Sequence, residues 1–72
     1  MVLEVFAPAA FADRKQELEQ ALVSRISEFT DLTPEVHFIG AMTHVRGTAP
    51  RRVLERTDFA LRRAMAEVRN HR

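Results

Sequence analysis

Thr33-Pro34-Glu35-Val36-His37-Phe38-Ile39-Gly40-Ala41-Met42-Thr43-His44-Val45 is the stretch on which the fold turns. Proline disfavours helical geometry in the residue before it, so Thr33-Pro34 closes whatever helix precedes it. The residues that follow read as one strand over Val36–Val45. Val36, Phe38, Gly40 and Met42 share one face, and His37, Ile39, Ala41 and Thr43 share the other.

Upstream of the proline lies a helix. Asp13 is placed to cap its first turn, with Gln16 three residues on to complete a capping box. Leu18, Leu22, Ile26 and Phe29 recur at spacings of four, four and three, widened by Ala21 and Val23, while Glu17, Glu19, Gln20, Arg25 and Glu28 line the opposite side. That is a surface helix with one buried face. Further upstream, Val2–Ala7 is rich in strand formers and ends at Pro8. Val2, Glu4 and Phe6 alternate with Leu3, Val5 and Ala7, so both faces carry apolar residues and the strand is expected to be covered on two sides. Strand, helix and strand make a β-α-β unit with parallel strands.

Downstream, Arg46-Gly47-Thr48-Ala49-Pro50 reads as a loop, with Thr48 as cap and Pro50 in the first turn of a second helix. This helix covers roughly 51–69, with Leu54, Leu61, Ala64, Met65 and Val68 as its apolar stripe. Asp58 interrupts the stripe and predicts a break near Thr57-Asp58. The fold class is therefore α/β (α+β), a single β-α-β unit plus a C-terminal helix. It forms one domain over 1–72, with the β-α-β unit in 1–46 and the loop and basic helix in 47–72. Two parallel strands do not make an independently stable sheet, so the sheet is expected to be completed by oligomerisation.

Composition sharpens this expectation. Seventy-two residues without cysteine bury a marginal core and have neither disulfide nor thiolate zinc site to staple it. Hydrophobic content of 46% with 29% charged residues is globular. No apolar run suggests a membrane span and no signal segment is visible, so the expected compartment is the cytoplasm. Residues 1–50 carry four basic side chains against seven acidic ones, whereas 51–72 carry seven arginines against three acidic residues. An acidic body thus precedes a basic final helix.

Val2–Phe6, the helix opening Arg14-Lys15-Gln16-Glu17-Leu18, the helix body Leu22…Ile26-Ser27 and Thr33–Ile39 together resemble the tautomerase superfamily, in particular the small-subunit group typified by 4-oxalocrotonate tautomerase. The likeness covers about the first 45 residues. It implies a β-α-β subunit of a trimer or hexamer, homo-oligomeric or paired with a second tautomerase-like subunit. It also implies an N-terminal proline amine as general base, and arginines that hold the carboxylates of a small substrate. In this chain Val2 follows Met1, the first loop has no arginine and the nearest is Arg14, and His37 stands where the second-strand arginine falls. The glycine-rich C-terminal hairpin of the family is replaced by the basic helix. Removal of Met1 would expose a Val2 amine, a base near neutrality. The substrate-binding candidates are His37, Arg46 just past the second strand, and Arg14.

Other constellations are weaker. His37 and His44, seven apart in one strand, point to opposite faces and share no metal, and no cofactor is implied. Glu4 is read either as a buried acid or base, or as a strand glutamate that meets solvent or an arginine across an interface. Ser24 and Ser27 lie within a helix, without the strained turn a nucleophile uses. Arg51, Arg52, Arg56, Arg62, Arg63 and Arg69 have the charge to track phosphates, but no stacking aromatic or glycine-rich loop accompanies them, which weighs against nucleic acid.

Three expectations follow, the last of them a true enzyme, an isomerase that uses the Val2 amine with His37 and Arg46. The first is a tautomerase-like oligomer lacking the catalytic proline, a degenerate homologue or non-catalytic partner subunit, with at most weak keto–enol isomerase activity on a small keto acid. The second is a binding or assembly module whose arginine-rich helix contacts an acidic protein or nucleic acid.

Overall fold

A computed structural model describes residues 1–39 and 44–70. Gly40, Ala41, Met42 and Thr43 of the expected second strand, and His71, lie outside the described residues. The chain runs through strand β1 (Val2–Phe6), a 3₁₀ turn (Ala9–Arg14), helix α1 (Lys15–Ile26), strands β2 (Glu35–Phe38) and β3 (His44–Gly47), and helix α2 (Arg51–Asn70).

β1 is the central strand of a three-stranded mixed sheet ordered β2-β1-β3. It pairs in parallel with β2, Val2 opposite Glu35 and Val5 opposite Phe38, and antiparallel with β3, Leu3 opposite Gly47 and Phe6 opposite His44. The parallel β1–α1–β2 connection matches the expectation. The single strand over 36–45 does not: its two ends lie on opposite sides of β1, and Arg46 belongs to β3 instead of a loop. The alternation changes phase between the two pieces, since Val36 and Phe38 pack toward the core at even positions and Val45 is buried at an odd one. A third strand supplied by the chain itself also removes the topological need to borrow one.

Only one face of β1 is covered by the helices. Leu3 and Val5 are fully buried in a cluster with Leu18, Leu22 and Ile26 of α1, Val45 of β3 and Ala60, Leu61, Ala64, Met65 and Val68 of α2. Val2, Glu4 and Phe6 point the other way and are partly exposed, so the chain by itself covers this strand on one side, not on the two expected. Each fully buried leucine contributes about 1.5–3 kcal/mol by its transfer from water, so the two helices and one sheet face supply the core.

Local chemistry explains the boundaries. Asp13 does not cap α1. It sits inside the 3₁₀ turn that begins when the Phe11 amide bonds the Pro8 carbonyl at 3.0 Å, and Arg14 occupies the cap position without a side-chain cap bond. α1 ends at Ile26, well before Thr33-Pro34. There the Ser27 hydroxyl donates to the Ser24 carbonyl at 2.7 Å, and the Phe29 amide bonds the Ile26 carbonyl at 3.1 Å, tightening the last turn. Thr48 does not cap α2 either: its Oγ1 accepts the Val2 amide at 3.3 Å, and the Pro50 carbonyl starts the helix by accepting the Leu54 amide at 3.0 Å.

α2 runs unbroken through Asp58, which is half-buried beside Arg62 at 3.6 Å. Arginine, alanine, leucine, methionine and glutamate are strong helix formers, and their sum over twenty residues outweighs one aspartate. A helix of that length spans about 30 Å, nearly the 32 Å long axis of the molecule.

Candidate functional site

Lateral neighbours in a sheet share a face. Glu4 is opposite His37 in the β2 ladder and opposite Arg46 in the β3 ladder, so these three side chains form one row across the open face. The fold therefore does bring His37 and Arg46 into one row, on either side of β1 and about 10 Å apart by two strand spacings. Both already hold carboxylates. Arg46 Nε donates to Glu4 Oε1 at 2.8 Å and its guanidinium lies 5.4 Å from the centre of the Phe6 ring. His37 Nε2 lies 3.1 Å from Glu35 Oε2, two residues earlier on the same strand. Glu4 is thus the strand glutamate that meets an arginine, but the arginine is its own chain's. These pairs are more than a third exposed, and a ligand carboxylate at Arg46 has to compete with Glu4.

The remaining sequence candidates are not in this row. Arg14 sits at the head of α1, in the helical layer, where its Nη2 donates to Glu17 Oε2 at 2.9 Å. The nitrogen of Val2 is a backbone amide bonded to Thr48 Oγ1, and the terminal amine belongs to Met1, which donates to the Thr33 carbonyl at 2.8 Å. Among the described residues, no group of three or more histidine, aspartate or glutamate side chains is placed to hold a metal ion. No described helix is long and apolar enough to cross a membrane.

A second site lies on the helical side. A cavity of about 540 Å³ opens between the C-terminal end of α1 and the first half of α2, walled by Arg25 and Phe29 on one side and by Arg52, Arg56, Phe59 and Arg63 on the other. The α2 wall is a single helical stripe, because these positions are spaced by four, three and four. It lies away from the buried stripe of Thr57, Leu61, Ala64 and Val68. Phe59 is 60% exposed at its middle. Arg63 lies 5.0 Å from the Phe59 ring centre and Arg56 lies 5.9 Å from that of Phe29.

The electrostatics of this groove are uneven. Arg25 donates to Glu67 at 2.7 Å, Arg51 to Glu55 at 3.2 Å, and Arg62 is near Asp58. Arg52, Arg56 and Arg63 have no carboxylate partner among the described residues. Arg25 Nε, also in the lining, is buried without a hydrogen-bond partner among them. Glu28 and Glu55 line the same groove and limit its positive charge.

Sequence reasoning singled out the arginines of α2 but found no aromatic with them. Phe59 and Phe29 correct that. The signal was present in the spacing Arg52, Arg56, Phe59, Arg63, a second stripe beside the one read as core. No protein-family model, curated protein sequence or solved structure matches the chain.

Proposed function

We propose that this protein is a small binding module that engages an acidic protein partner through the α1–α2 groove. One observation carries the reading: three arginines without carboxylate partners among the described residues share one stripe of α2 with a largely exposed phenylalanine. Aromatic residues, phenylalanine among them, and arginine are enriched at protein interfaces relative to the rest of the surface. Glu28 and Glu55 within the lining favour a protein carboxylate presented at chosen points over a continuous phosphate backbone. The test is binding of fluorescent polyglutamate and of single-stranded oligothymidine at low and high salt. Saturable, salt-sensitive binding of polyglutamate that is lost in the R56E/R63E double variant supports the reading. No association with polyglutamate at low salt refutes it.

A second reading is favoured by the parallel β1–α1–β2 unit. It is a tautomerase-like subunit without the catalytic proline, acting as a non-catalytic member of a homo- or hetero-oligomer. Its open sheet face carries His37 and Arg46 toward a small carboxylate. Assays with 2-hydroxymuconate and phenylenolpyruvate test it. Turnover abolished by N-terminal acetylation assigns catalysis to the terminal amine and ends the non-catalytic reading, whereas sedimentation as a monomer at all concentrations removes the oligomer.

A further inference from the structure

We infer that the groove's occupant is an acidic amphipathic helix of a different protein, which seats one aliphatic side chain against Phe59. This rests on the binding-module reading and specifies its partner.

The groove is formed by two helices, whose backbone groups are already bonded within themselves. An extended peptide laid there would find no strand edge to complete its own backbone hydrogen bonds, whereas a helix brings them satisfied. The pitch agrees. Arg52, Arg56 and Arg63 stand at helical multiples along α2, spanning about 16 Å at 1.5 Å per residue. A second helix packed along that ridge presents its own i, i+4, i+7 and i+11 positions at the same intervals. Carboxylates at three of them meet the three arginines, and the fourth falls on Phe59.

That fourth position has to be apolar. Phe59 is 60% exposed, with Ala60 and Phe29 beside it in the lining, so the centre of the groove is hydrophobic within a charged rim. Aliphatic burial at the centre, surrounded by ion pairs that exclude water, is the usual energetic layout of an interface.

A second copy of the chain does not supply such a helix. Its large exposed apolar residues among the described positions are Val2, Leu32 and Phe59: one in a strand, one in a turn region, one on the basic face itself. The acidic side of α1, with Glu17 and Glu19, presents none of them.

The test uses the full chain and fluorescence anisotropy of three probes. One is an Ala/Glu helical peptide of about sixteen residues, about 24 Å long, with leucine at its central apolar positions. The second is the same peptide with alanine in place of leucine, and the third is an oligothymidine of equal charge. The leucine peptide is expected to bind at least tenfold tighter than the alanine peptide. That preference should disappear in F59A and persist in F59L, and binding of both peptides should be lost in R56E/R63E, with circular dichroism unchanged throughout. Equal binding of the two peptides refutes the seated side chain while leaving the acidic-partner reading standing. Failure of both peptides, together with failure of polyglutamate, refutes that reading as well. Tighter binding of oligothymidine than of either peptide replaces the protein partner by a nucleic acid.

Discussion

Arg46 and Glu4 stand opposite each other in the antiparallel register of β3 and β1 and close an ion pair at 2.8 Å, 42 positions apart in sequence. Both side chains are well exposed, at 61% and 39%. The pair therefore fixes which residues are adjacent more than it adds energy. A double-mutant cycle with E4Q and R46Q in urea denaturation is expected to give a coupling of about 0–1 kcal/mol. A coupling several times larger would mean that the open face is covered in solution.

The core behaves differently. Leu22 and Leu61 are fully buried at the meeting of α1, α2 and the sheet. Leu22→Ala or Leu61→Ala is expected to cost about 2–5 kcal/mol, comparable with the whole stability of a domain this small. The check is a thermal melt by circular dichroism, in which either variant should lose its cooperative transition near room temperature. Phe59→Ala, at an exposed position, should melt close to the parent.

Thr57 is the one buried polar residue of the described core, and its hydroxyl donates to the Val53 carbonyl at 2.7 Å, one turn back in α2. That carbonyl is also within reach of the helix's own amide ladder. Thr57→Val keeps the shape and removes only a back-bond that slightly disfavours helices. It is expected to change stability by less than about 1 kcal/mol, whereas Thr57→Ala also leaves a cavity and costs more. Urea midpoints of the two variants, compared at equal slope, decide the order.

Gly47 pairs with Leu3 at the end of β3, where a methyl group would press on the Val2 carbonyl and on the Leu3 Cα at 3.2 Å. Both obstacles are backbone, so the strand has to move. Gly47→Ala is expected to destabilise by about 1–3 kcal/mol and to speed amide exchange at Leu3 and Val5. Exchange rates equal to the parent's would show that β3 accommodates the methyl without shifting.

Helices were legible in the sequence because their signal repeats: Leu18, Leu22 and Ile26 in α1 and Leu61, Ala64, Met65 and Val68 in α2 are all buried. The parallel β1–β2 pairing followed from the same periodicity and from Pro34. The third strand was not legible. Its one local mark is a slip of phase, with Val36 and Phe38 toward the core at even positions and Val45 at an odd one, and which side of β1 each strand occupies is a tertiary choice. Helix ends were misplaced for a related reason. Thr48 spends its hydroxyl on a partner that emerges only in the fold, the amide of Val2, and at the end of α1 the Ser27 hydroxyl bonds back to Ser24 within the same turn, ahead of Pro34. At the site, His37 and Arg46 were separate candidates that the fold sets in one row on either side of β1. An arginine on Glu4 was expected across an interface and is instead Arg46 of the same chain, and the Glu35 beside His37 was not foreseen. Phe59 went unread because it falls between arginines, outside the apolar stripe read as core.

The position of β1 has a consequence for the order of events. Each of its rungs joins residues more than thirty positions apart, from Val2 with Glu35 to Leu3 with Gly47. Among the described residues no hairpin is present to nucleate the sheet, and each described ladder waits on the closure of a long loop. Val2–Phe6 precedes both of its partners in the chain and stays unpaired on both edges until β2 and β3 reach it. Leu3 and Val5, the most deeply buried strand residues once folding is complete, are therefore among the longest exposed before it. The ensemble in which the helices have formed but β1 is not yet flanked is the one in which this chain offers most strand edge to aggregation.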